Sequence, residues 1–257
     1  MKAPERFVQW MTDHRHVDPK LGLTYRYHSR SDAHSIELCS AVVVDLVDRC
    51  ALLREQAAIG VVAYGINLKH RWASGKSKTL DLAVGTPVDG PILAPPANGI
   101  HRVTDLDEVL IACEAKTVMT EHSKAQPRIF DELSSSHEIV HSGRPDAIAA
   151  GITVVNIAAT FVSPLRQQEG RPLYVTHHKQ PHVTDRMVKH LRGLVTRERP
   201  EGVGFDAYCT IVVNCDNQGG ISLCTDQPAP QPGDHDHYDT FIERIATFYT
   251  ERFATLR

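Results

Sequence analysis

The sequence predicts an α/β fold built on one central mixed β-sheet flanked by helices. Three observations lead there. Long helical runs alternate with short apolar runs rich in β-branched residues. Their order is helix, three strands, helix, strand, and then a C-terminal extension. At 257 residues the chain is long enough to bury a full core.

The chain starts with a polar N-terminal arm, 1–30, rich in Arg, His and Tyr, with a short helix near Phe7 to Met11. It reads as a solvated leader; the sharper reading of "TYRYHSRSDAHS" is an arm that touches phosphates. From about Ser31 the pattern turns helical, with Ser31 or Asp32 as the cap. "SIELCSAVVVDLVDRCALLREQAA" is one long helix ending near Ala57. "IGVVAYGINLKH" is a strand and "RWASGKSK" a turn. "KTLDLAVGTP" is a second strand; a period of two puts Leu80, Leu82 and Val84 on one face and Asp81 on the other. "TPVDGPILAPPANG" is a loop or irregular hairpin. "VLIACEAKTVM" is the third strand, "SKAQPRIFDELSSSHEIVHSG" a helix, and "AIAAGITVVNIAATFV" a fourth, buried strand. These elements form a core over 31–162. The extension, 163–257, holds the helix "DRMVKHLRGLVTRE", the strands "DAYCTIVVNCD" and "ISLCT", a Pro-rich linker and a closing helix, all packed on the core.

Composition narrows the function classes. The net charge of −3, with fifteen His besides, is not that of a protein that coats nucleic acid, but it is compatible with a local basic cleft. No apolar run is long enough to span a membrane, and the N-terminus lacks a signal-peptide core, so a cytoplasmic protein is expected. The six Cys form no C-x-x-C pair, which argues against structural zinc; a reducing cytoplasm argues against disulfides. Neither a P-loop nor a dinucleotide fingerprint is present.

One constellation carries chemistry. In "ACEAKTV" Glu114 and Lys116 share a strand face, with apolar residues on both faces before them, as in a central strand. Asp81 sits inside the preceding apolar strand. If the two strands are neighbours, Asp81 and Glu114 converge, and two adjacent carboxylates repel unless a cation lies between them. Hard oxygen ligands with room for water suit Mg²⁺, with Mn²⁺ as a substitute. Lys116 would then face the point where water meets a phosphate oxygen. There it would position or deprotonate the nucleophile, or stabilise transition-state charge.

Asp81 followed by Glu114-Ala115-Lys116, after a long helix and before a helix–strand unit, resembles the PD-(D/E)xK nuclease superfamily, which includes type II restriction endonucleases. The resemblance covers roughly 31–162. The E-x-K element is complete; Leu80 stands where the motif's Pro would be, and the interval from Asp81 to Glu114 is long, implying a hairpin insertion. The resemblance implies a restriction-endonuclease-like core and a Mg²⁺-dependent DNA endonuclease of a restriction or phage-defence system. Asp81 and Glu114 would be metal ligands and Lys116 the catalytic lysine. A further helix-borne ligand would be Glu37. Lys124, Gln126 and Arg128 would support the site or contact DNA. The implied partners are double-stranded DNA, a second copy of the chain, and a methyltransferase or other defence component; the extension would serve recognition or dimerisation.

Two rival readings stand beside this one. His137-Glu138-Ile139-Val140-His141 is an H-E-x-x-H string, the pattern of a zinc protease with Glu138 as general base and Asp146 or His177 as a third ligand. The flanking "DELSSS" and "SGRPD" suggest a short, broken helix there. The other rival is a non-catalytic DNA-binding protein that keeps the nuclease fold.

Overall fold

The structure is a computed structural model that describes residues 1–72, 75–88, 94–97 and 99–256. Part of the expected turn, at 73–74, and the middle of the Pro-rich stretch, 89–93, lie outside those residues.

Helix α1 (Ala3–Asp13) is not a solvated leader. Ala3, Phe7 and Met11 recur every four residues, so they share one helical face, and that face is buried in the core beside the next long helix. The short strands β1 (His16–Val17) and β2 (Thr24–Tyr25) pair antiparallel. Helix α2 (Ala33–Arg49) follows, but the long helix expected to Ala57 breaks at Cys50. The Cys50 backbone is extended, and its Sγ accepts from the Leu53 N–H at 3.5 Å to start α3 (Ala51–Ala58).

The next strands are β3 (Ala63–Arg71), β4 (Ser77–Pro87), β5 (Ala94–Ala97), β6 (Ile100–Arg102) and β7 (Leu106–Val118). Helix α4 (His122–Gly143) leads to β8 (Ile148–Asn156). Strands β9 (Thr160–Phe161) and β10 (Thr176–His177) form a separate ribbon. Helix α5 (His182–Leu191), strands β11 (Ala207–Cys215) and β12 (Ile221–Cys224), and helix α6 (Tyr238–Phe253) complete the chain.

The central sheet has eight strands in the order β12-β11-β8-β7-β4-β3-β6-β5. Strands β3, β4 and β7 form an antiparallel meander, β8 runs parallel to β7, and β11 runs parallel to β8. The hairpin between β4 and β7 crosses to the far edge, where β6 pairs with β3, which accounts for the long interval between Asp81 and Glu114. The extension adds two strands to this sheet and, through α6, part of its cover. One face packs against α1, α2, α3 and α6, and the other against α4 and α5. Every residue of β8 is buried, as a central parallel strand covered on both faces requires.

One irregularity sits in the middle of the sheet. Asn67 has φ +50°, and the β3–β4 ladder pairs Ile66 with Leu82 and Leu68 with Leu80 but skips Asn67 and Asp81. Across that step the faces exchange. Leu82 and Val84 join the α2-side core, whereas Leu68 and Leu80 join the α4-side core. The expected grouping of Leu80 with Leu82 and Val84 therefore fails at Leu80, because a strict period of two holds only along an unbroken pleat.

Candidate active site

Strands β4 and β7 are neighbours, and their register pairs Leu82 with Cys113. Asp81 and Glu114 lie just past the end of that ladder, and Glu114 faces α4, where Ser136 reaches it. The Ala115 N–H donates to Asp81 Oδ2 at 2.8 Å, tying the aspartate to the strand that carries the glutamate. Burial raises the Asp81 pKa, the Glu114 charge raises it further, and the result is about 6 despite the Ala115 hydrogen bond and two nearby lysines.

Glu114 is buried, with its residue 7% exposed. Lys116 Nζ lies 2.6 Å from its Oε1, and Lys78 Nζ lies 3.0 Å from its Oε2. Ser136 of α4 donates to the same Oε2 at 3.4 Å. Lys116 also reaches Glu132 of α4 at 3.4 Å. Burial alone would lower the Lys116 pKa, but the charge and hydrogen bond of Glu114 outweigh it and the pKa is raised. Lys116 is therefore an ammonium at neutral pH. Beside it opens a cavity of about 280 Å³, lined among others by Tyr27, Ser29, His34, Thr117, Arg128 and Glu132.

The structure thus brings Asp81, Glu114 and Lys116 together and adds Lys78, which sequence reasoning missed. A period of two counted back from Leu82 puts Lys78 on the α2 side, away from Glu114. The exchange of faces at Asn67 returns it to the side of Glu114. The only signal for it in the sequence was a lysine three residues before Asp81, with nothing to mark the irregularity.

The other candidates stand elsewhere. Glu37 is not part of the cluster. It lies on the stripe of α2 that faces α1, in line with Ala41 and Asp45, whose oxygens both accept from Arg6. Burial raises its pKa and Arg6 opposes that shift. Lys124 is exposed and pairs with Glu121 at 2.8 Å. Arg128 pairs with Glu132 at 3.2 Å and reaches the cavity beside Lys116. Gln126 is half-buried, and among the described residues no hydrogen bond joins it to the acidic pair.

The H-E-x-x-H string lies on one unbroken helix, α4, not a short broken one. His137 is buried edge-on against Phe205, with ring centroids 5.2 Å apart, and burial lowers its pKa. His141 Nε2 lies 3.1 Å from Asp206 Oδ2. Glu138 is exposed, Asp146 pairs with Arg144 at 3.0 Å, and His177 is exposed on β10. Among the described residues no group of three or more His, Cys, Asp or Glu side chains is placed to hold a metal ion. The Asp81–Glu114 pair is a donor set of a different kind. Mg²⁺ is commonly held by one or two carboxylates and completes its shell with water. Two carboxylates held close against their mutual repulsion fit such an ion.

No protein-family model, curated protein or solved structure matches the chain.

Proposed function

We propose that the chain is a Mg²⁺-dependent DNA endonuclease of the PD-(D/E)xK type, with Asp81, Glu114 and Lys116 as its active site. The observation that carries this reading is that Asp81, bonded to the Ala115 N–H, lies close enough to Glu114 to feel its charge, with Lys116 Nζ 2.6 Å from Glu114. The order α2, β3-β4-β7 meander, α4, β8 supports a restriction-endonuclease-like core.

Asp81 and Glu114 would hold the metal, which when bound supplies charge to the phosphate and acidity to a water. The Ala115 N–H fixes the Asp81 carboxylate relative to β7. Lys116 keeps its proton at neutral pH because of Glu114. Its part would be to donate hydrogen bonds and positive charge to the phosphate in the transition state. The cavity beside it gives the phosphate a way in. Cutting both strands of a duplex requires two such sites, which a two-fold dimer provides. A restriction or phage-defence setting follows by analogy of fold.

The test is incubation of the purified full chain with plasmid and phage DNA, in Mg²⁺ or in EDTA, beside Lys116→Ala and Glu114→Gln. Mg²⁺-dependent cutting that both variants lose is the expected result. Absence of cutting on every substrate, or cutting undiminished in Lys116→Ala, overturns the proposal.

A further inference from the structure

Glu114 meets two ammonium groups where the proposed chemistry uses one. Lys116 takes Oε1 and keeps a second partner in Glu132. Lys78 takes Oε2, and Glu114 is its one ion-pair partner among the described residues. The Lys78 side chain is 18% exposed, so its charge is largely withdrawn from water and held by this contact. It reaches the site only because the β3–β4 pleat is interrupted at Asn67 and Asp81.

We infer, on the strength of the metal-site reading above, that Lys78 is a tethered counter-ion that competes with the divalent cation for Glu114. A metal ion needs an oxygen of Glu114 together with Asp81. The two ammonium groups already occupy one oxygen each, and a divalent ion added beside them would be repelled by both. One lysine must withdraw when metal arrives. Lys116 is anchored on its far side by Glu132, whereas Lys78 has a flexible four-carbon stem and, among the described residues, no ion pair besides the one with Glu114. Lys78 therefore stabilises the metal-free site, lowers its apparent affinity for metal, and is freed on loading to meet a phosphate.

The test is calorimetric titration of the full chain with Mn²⁺ alone, for the wild type, Lys78→Met, Lys78→Arg and Glu114→Gln. Lys78→Met keeps the apolar stem and removes the charge. It is expected to bind Mn²⁺ about fivefold tighter and to melt at a lower temperature in EDTA, with the gap closing in saturating Mn²⁺. Lys78→Arg keeps a cation and is expected to stay near the wild-type affinity. Should Lys78→Met prove unfolded, Lys78→Gln takes its place with the same expectation. Wild-type Mn²⁺ binding that Glu114→Gln loses, with equal or weaker binding in Lys78→Met, overturns this inference and leaves the metal site standing. Folded wild-type protein that takes up no Mn²⁺ overturns both.

Discussion

Two buried acidic centres lie on this sheet, and they are built on opposite terms. At the start of β11, Asp206 is fully buried and surrounded by donors. Arg197 reaches it at 3.0 and 3.1 Å, Arg252 at 2.7 Å, His141 at 3.1 Å, and the Ala149 N–H at 2.8 Å. Burial would raise its pKa, but the hydrogen bonds of His141, Arg197 and Arg252 take it down to about 2. At the other centre both lysines pair with Glu114, and Asp81 beside it is pushed up to about 6. A group whose charge is answered several times over holds elements together. A pair whose repulsion is left partly unanswered costs stability, and the proposed function accounts for it by a cation between the two carboxylates.

The largest effect should come from breaking the first centre. Asp206→Ala leaves Arg197 and Arg252 buried beside each other without their anion. It is expected to cost about 3–5 kcal/mol in urea unfolding. The pH dependence has a definite sign. Asp206 has a depressed pKa, so its contribution is present above the ordinary carboxylate value of 3.8 and is lost as pH falls toward about 2. If Asp206→Ala unfolds no more easily than the wild type at neutral pH, the centre is not the brace described here.

Next is Lys116→Met, which should leave stability within about 1 kcal/mol and reduce Mg²⁺-dependent cleavage by about 10²–10³-fold, as loss of a transition-state charge does. A variant that loses stability but cleaves at the wild-type rate once folded would make the second centre structural, like the first.

The two centres were unequally legible in the sequence. Asp81, Glu114 and Lys116 are charges inside apolar strands, and the pairing of those strands as neighbours sufficed to bring them together. The meander, α4 and β8 were legible because their periodicity is local. The first centre was read as something else. His141 belongs to a metal-binding string only while its surroundings are ignored; the fold gives it Asp206, sixty-five positions away, as a partner. Lys78 and Leu80 were lost to the pleat break at Asn67, and Asn shows nothing in sequence that forces a positive φ. Phe7 and Met11 looked like part of a polar leader because the apolar stripe they form is one face of a single short helix.

A smaller effect, of reversed sign, separates the centres again. Asp81→Asn removes the repulsion with Glu114 while its amide oxygen can still accept from Ala115. In EDTA at pH 7–8 it is expected to stabilise the protein by about 1–2 kcal/mol, less than the full pKa shift implies because Asp81 is partly exposed. A raised pKa gives stability below the ordinary carboxylate value of 3.8, lost as pH rises through about 6. Wild-type stability should therefore fall across that window relative to Asp81→Asn, the opposite slope to that set by Asp206. The same substitution should abolish cleavage.

The smallest effect concerns Arg128, which decides whether the cavity beside Lys116 is the path of the substrate. Its side chain is 68% exposed and pairs with Glu132 one helical turn on, so Arg128→Ala should change stability by less than about 0.5 kcal/mol. Its distance from the carboxylate pair should leave the rate on saturating DNA unchanged. The effect belongs in binding. If a phosphate passes through the cavity, Arg128→Ala should weaken DNA binding a few-fold and lower the slope of log affinity against log salt by about one. Lys124→Ala is the comparison, because Lys124 lines the adjoining cavity with Arg128 but not the one that contains Lys116. Equal losses in both variants mark a track running along the start of α4. A loss in Arg128→Ala alone confines the phosphate contact to the cavity at Lys116. An unchanged salt slope in both places the DNA on a different face and leaves this cavity to a smaller phosphate ester.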